Sequence, residues 1–206
     1  MIAEPALAEA AAAVKALVGL VFLSAAIGKM RNWIPLQGVI ANYRLLPDIL
    51  VAPVAYVLPP VEALLGAALL LGIRSPAPEA VAAVLLAVFA AAMGINLLRG
   101  RRHIDCGCFQ SALRQSLSWI LVARNGALVL LLVLAMLFAQ FPPTRGARIA
   151  GLLAGAVLYV ILQSLNILWS ISPSWRRPRT PGPEAQRTSP RRTPQRPLAH
   201  FSGVDP

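Results

Sequence analysis

The sequence predicts an all-α polytopic transmembrane bundle of about five spans over residues 1–171, followed by a disordered basic tail over residues 172–206. Three observations carry this expectation. The 206 residues are 57% hydrophobic and only 13% charged, with a mean hydropathy of +0.67, outside the range of soluble domains. Apolar runs recur at about 20 residues, the length that crosses a hydrocarbon core of roughly 30 Å. At Ser172 the composition turns abruptly to Pro, Arg, Ser, Thr and Gln, with too little apolar surface to fold. The net charge of +11 would suggest nucleic acid in a soluble protein. Here the arginines flank apolar runs or sit in the tail, so the charge reads as cytoplasmic-face charge against a lipid bilayer, with no nucleic-acid partner.

The first run, from about Ala10 to Ile27, has Glu4 and Glu9 before it and Lys29 and Arg31 after it. That order is the reverse of a cleavable signal peptide, and it predicts a retained span with its N-terminus outside. From Lys29 to about Leu50 the chain turns polar, with Arg31, Trp33, Pro35, Asn42, Tyr43, Arg44 and Pro47, and reads as an irregular interfacial segment. Val51 to Ile73 forms a second span in which Pro53, Pro59 and Pro60 are expected to kink or unwind the helix. Glu62 lies within it and needs an interior partner, for which Lys15 and Arg124 are the candidates. Glu79 opens a third span to Leu98, whose small residues Ala82, Ala83, Ala87, Ala90, Ala91 and Gly94 predict close helix packing. The fourth span covers about Leu117 to Phe141 with Arg124-Asn125 near its start. The fifth covers about Ile149 to Ile171, with Trp169 and Trp175 as an interfacial belt.

With five spans, the Lys29–Leu50 segment, the Arg99–Phe109 segment with Arg114, and the tail share one face and carry fourteen Lys/Arg, against Arg74, Arg145 and Arg148 on the other. The positive-inside bias puts the first face in the cytoplasm and the N-terminus outside, in the periplasm of a bacterial inner membrane.

The chemistry concentrates in Arg99-Gly-Arg-Arg-His-Ile-Asp-Cys-Gly-Cys-Phe109, which holds both cysteines. A disulfide between Cys106 and Cys108 must close across a single residue, and Gly107 is what permits that fold. A strained disulfide is readily reduced, which suits exchange better than stabilisation. Arg101, Arg102 and His103 favour the thiolate, while Asp105 opposes it. The same residues leave two other readings open. His103, Asp105, Cys106 and Cys108 are ligand types that zinc or copper accepts, although ligands so closely spaced rarely close a tetrahedron alone. Alternatively, the cysteines are small packing residues at the end of a span.

Ile104-Asp-Cys-Gly-Cys-Phe109, following Arg99-Gly-Arg101, resembles the signature of the MauE family of methylamine utilisation membrane proteins, which are related to DoxX-like redox-associated proteins. Gly28-Lys-Met-Arg31, Asn42-Tyr-Arg-Leu-Leu-Pro47, Leu58-Pro59 with Glu62, Asn96 and Arg124-Asn125 extend the resemblance over roughly residues 10 to 170. Gln110 departs from it, standing where the family pattern has glycine. The resemblance implies a role in maturing methylamine dehydrogenase, whose disulfide-rich small subunit carries a tryptophan-derived quinone. It also implies a thioredoxin-like partner of the MauD type. On this reading Cys106 and Cys108 are the redox pair, His103 and Asp105 support it, Glu62 and Arg124 are interior partners, and no cofactor or metal is required.

The topology puts the cysteines on the reducing side, whereas the implied substrate lies outside. Either the motif re-enters the bundle and relays electrons across it, or one span is misassigned. The principal rival is a non-redox membrane chaperone or scaffold that docks the apo-subunit or its thioredoxin-like partner. A small-solute permease would need more intramembrane polar groups than Glu62, Asn96 and Arg124 supply.

Overall fold

The computed structural model describes residues 3–73, 75–101, 117–137 and 144–171. They form six helices: α1 (Ala3–Arg31), α2 (Trp33–Tyr43), α3 (Asp48–Leu71), α4 (Ala77–Leu98), α5 (Trp119–Leu137) and α6 (Arg145–Ile171). All but α2 are long and apolar enough to cross a membrane, so the count of five spans holds.

The elements follow from the pattern of inward residues. On α5, Leu121, Asn125, Leu128, Leu132 and Ala135 are buried, alternating steps of four and three as a helix packing along one seam requires. α3 buries Val51, Ala55, Pro59, Glu62, Gly66 and Leu69 on the same principle. Glu62 and Asn125 therefore occupy core positions of otherwise apolar seams.

α1 is the hub, packed mainly against α6 and α3, with α5 also against it, while α4 pairs with α5. Its two principal contacts are made at glycines. A Cβ built on Gly66 would lie 2.8 Å from the Gly19 carbonyl oxygen and 2.8 Å from Leu23. Gly19 in turn meets Leu70, so α1 and α3 run antiparallel. On α6, Gly151 and Gly155 sit four residues apart over Ala12, Ala13 and Ala16 of α1, and a Cβ on either would come within 2.5 Å of an alanine Cβ. This is the small-residue seam that membrane helices use where no hydrophobic effect drives association. Leu17, Val18, Val21, Phe22, Leu69, Leu86, Leu128 and Leu132 fill the middle of the bundle.

Several local expectations are corrected. The Lys29–Leu50 segment is largely helical: α1 runs on to Arg31, and α2 follows, stopped by Arg44 in the left-handed region (φ 48°). Trp33 of α2 stacks on Tyr56 of α3 at 4.4 Å between ring centroids. α3 continues unbroken through Pro53, Pro59 and Pro60. The prolines remove N–H donors from the carbonyls four residues back, which membrane helices tolerate where local adjustment and neighbouring helices re-satisfy the freed groups. On α4, Ala82 and Ala83 are buried but Ala87 and Ala91 are exposed, and a Cβ on Gly94 would meet nothing within 4 Å. Close packing is instead the work of α1, α3 and α6.

Candidate functional site

α1 extends one turn past Ile27, and that turn decides the partner of Glu62. In the antiparallel α1–α3 pair, Gly66 is level with Gly19. Glu62, four residues before Gly66, therefore lies level with residues after Gly19 and away from Lys15. The Lys29 side chain reaches back along its helix, as helical side chains do, and its Nζ donates to Glu62 Oε1 in a salt bridge. Glu62 is fully buried and Lys29 is 9% exposed. The ammonium also sits 4.9 Å from the centroid of the Phe89 ring on α4, where the ring face attracts a cation.

Lys29 and Glu62 line a small cavity with Val21, Phe22, Ala25, Leu86, Phe89, Arg124 and Asn125. About 20 Å³ of it is open to the centre of a water molecule, room for roughly one water. Asn125 is 2% exposed, and among the described residues its Nδ2 has no hydrogen-bond partner. Asn96, fully buried two residues before the end of α4, donates to the Ala92 carbonyl at 3.0 Å. Its Oδ1 has no partner among the described residues. From α5, Arg124 Nη1 donates to Asn166 Oδ1 on α6 at 3.4 Å.

A second pair lies at the other end of α4, where Lys15 Nζ, from the middle of α1, is 2.5 Å from Glu79 Oε1 in the first turn of α4. Lys15 is thus assigned to Glu79 and not to Glu62. The structure brings two of the sequence-derived site residues, Glu62 and Arg124, to one cavity. The other four, His103, Asp105, Cys106 and Cys108, lie outside the described residues.

Three features escaped the sequence reading. Lys29 was assigned to the headgroup zone, because a basic residue after an apolar run ordinarily snorkels there. Asn125 gave a usable signal, since it falls in register with Leu121, Leu128 and Leu132. Tyr159, Gln163 and Asn166 gave another, as polar groups at steps of four and three along an apolar span.

The fold and site define a class: a polytopic membrane protein of five spans with a buried ion pair and an arginine lining one cavity inside the bundle. Within that class the chain belongs to the MauE family. The family model described as methylamine utilisation protein MauE matches residues 7–139. Proteins named methylamine utilization protein MauE are similar to it. That of Paracoccus denitrificans is 41% identical over 78% of this chain and 87% of its own length. That of Paracoccus versutus is 36% identical over 76% and 85%, and that of Methylorubrum extorquens is 38% identical over 73% and 87%. No solved structure matches the chain.

Proposed function

We propose that this protein serves methylamine utilisation as a membrane accessory in the maturation of methylamine dehydrogenase, exchanging thiols and disulfide at Cys106 and Cys108 with a thioredoxin-like partner. The observation that supports this most is the placement of the buried polar groups. Asn96 lies in the last turn of α4, Arg124 and Asn125 lie in the second turn of α5, and the latter two share one cavity with the Lys29–Glu62 pair. These are the helix ends that flank the Cys-Gly-Cys segment in sequence. Ionisable groups are costly inside a bilayer and mark functional positions there.

The exchange is balanced without a further reagent. A thiolate of the partner attacks one sulfur of the Cys106–Cys108 disulfide, forming a mixed disulfide and releasing the other cysteine as thiolate. The partner's second thiolate then displaces the remaining sulfur, so one disulfide is consumed, one is formed and two electrons pass from partner to chain. The reverse steps oxidise the chain's dithiol. His103 and nearby arginines favour the thiolates, with Asp105 as their counter-charge. The small subunit of the dehydrogenase is the proposed client. The proposed setting is the bacterial inner membrane, with the N-terminus periplasmic and the C-terminus cytoplasmic.

The test is to replace the chromosomal copy with Cys106→Ser or Cys108→Ser and measure active dehydrogenase. Acid-quenched alkylation reports the thiol state in cells with and without the partner. Loss of active enzyme in both variants, with a thiol state that responds to the partner, is the expected result. Full activity in either variant overturns the exchange. If sensitivity lies instead in Asn42–Pro47, the protein is a docking scaffold.

A further inference from the structure

α6 lies beyond residue 139, where the match to the family model ends, and most of its surface is exposed, as for a helix that faces lipid. Its motif-side half nevertheless carries three partly buried polar side chains that hydrogen-bond in series. Gln163 Nε2 donates to Tyr159 Oη at 2.9 Å, Asn166 Nδ2 donates to Gln163 Oε1 at 3.4 Å, and Asn166 Oδ1 accepts from Arg124 Nη1 at 3.4 Å. Tyr159, Gln163 and Asn166 fall at steps of four and three, so they lie along one stripe of the helix. All three are partly buried, whereas Val160, Ile161, Leu165 and Ile167 around them are exposed. The close backbone contact of α6 with α1 is made by Gly151 and Gly155 further up the helix, and although the Tyr159 ring packs against the core, packing alone does not call for its hydroxyl or for the amides of Gln163 and Asn166. That glycine seam does fix the register at which α6 presents the stripe.

We propose that Asn166, backed by Gln163 and Tyr159, is a positioning residue that holds the Arg124 guanidinium at the Lys29–Glu62 cavity, so that α6 completes the site and is more than a membrane anchor. The ladder orients the amide. Gln163 Oε1 takes the Asn166 NH2, which turns Oδ1 outward to face Arg124. Tyr159 in turn fixes which way Gln163 points. A side-chain amide opposite a guanidinium supplies a directed acceptor without a second buried charge.

The inference rests on the proposed role in dehydrogenase maturation, and the experiment separates the two. Full-length Asn166→Leu, Asn166→Asp, Arg124→Gln and the double variant Arg124→Gln/Asn166→Leu are expressed in cells lacking the native copy. Membrane abundance and active dehydrogenase are then measured. Asn166→Leu inserts normally, since it makes the span more apolar, and lowers active enzyme about tenfold, the scale of one hydrogen bond to a charged group. Asn166→Asp restores activity, because a carboxylate also accepts from Arg124. The double variant is no worse than Arg124→Gln. Full activity in Asn166→Leu overturns the proposal, as does failure of Asn166→Asp to rescue or an additive loss in the double variant. Cys106→Ser, run in parallel, keeps the readings apart. Loss there with normal Asn166→Leu sinks only the positioning role. Normal Cys106→Ser with loss and rescue at Asn166 sinks only the thiol exchange.

Discussion

Removing Lys29 should cost this protein more than removing Glu62, although the two form a single pair. Lys29→Met removes the ammonium from the fully buried Glu62 carboxylate in mid-span, and a short side chain there has only the small cavity it shares with Arg124 and Asn125. Breaking a buried pair in this way costs about 3–5 kcal/mol. Glu62→Gln leaves the ammonium instead, but Lys29 stands two residues from the end of α1. Its four-carbon stem can swing to the headgroup zone, and the new amide remains a hydrogen-bond partner, so the cost falls to about 1–2 kcal/mol. In Lys29→Met/Glu62→Gln no member of the pair is charged, and stability returns to within about 1 kcal/mol of Glu62→Gln alone. The assay is thermal unfolding of the purified chain in lipid nanodiscs. Lys29→Met should lower the apparent Tm by roughly 10 °C for a chain of this size, and the double variant should recover most of that. A double variant as unstable as Lys29→Met, or a larger loss in Glu62→Gln, refutes the argument from burial and reach.

Four further outcomes follow from the packing and topology. Gly155→Leu drives a side chain into Ala16 and the Ala13 carbonyl, where even a Cβ is too close, and overpacking of this kind costs about 1–3 kcal/mol. Gly126→Ala, with nothing within 4 Å of its built Cβ, should unfold like the wild type in the same assay. Lys15→Met should destabilise less than Lys29→Met, because Glu79 stands in the first turn of α4, where the helix N-terminus stabilises its carboxylate; equal losses would contradict this. For orientation, a cysteine at Gly38 should be labelled by an impermeant maleimide only after the membrane is opened, and one at Gly146 in intact spheroplasts. The reverse pattern would invert the proposed topology.

The spans were legible because lipid imposes a simple demand: every buried backbone group must be bonded within its own helix, so length and hydropathy suffice. Which residues face inward was legible only in part. The seam of α5 can be read from Leu121, Leu128 and Leu132, and it carries Asn125 with it. Lys29 could not be placed in this way, since its burial depends on α1 continuing for one more turn and on the level at which Gly19 meets Gly66. That level is a tertiary fact, and it exchanged the partners expected for Glu62 and Lys15. The correction also alters the charge balance. Lys29 is spent inside the bundle, so the motif-side face has thirteen Lys/Arg against three, and the bias survives. α2 was missed because Trp33, Pro35 and Gly38 weaken every helical signal it has, while its contact with Tyr56 supplies the order. The polar stripe of α6 is not evident in the sequence because Tyr159, Gln163 and Asn166 look incidental in a long span until their spacing is compared with the position of Arg124.

The two ion pairs hang from α1 fourteen residues apart, a separation of about 21 Å along its axis. Between them lie Val18, Val21, Phe22, Leu86 and Leu132, closely packed and buried. Among the described residues the two charged pairs are thus set apart by an apolar layer. An ion crossing it would have to shed its hydration in a dry apolar layer, and a side-chain charge would have to move against a field worth about 2.3 kcal/mol per 100 mV. Each pair must therefore be neutralised locally, since neither can offset a charge lost from the other across that layer.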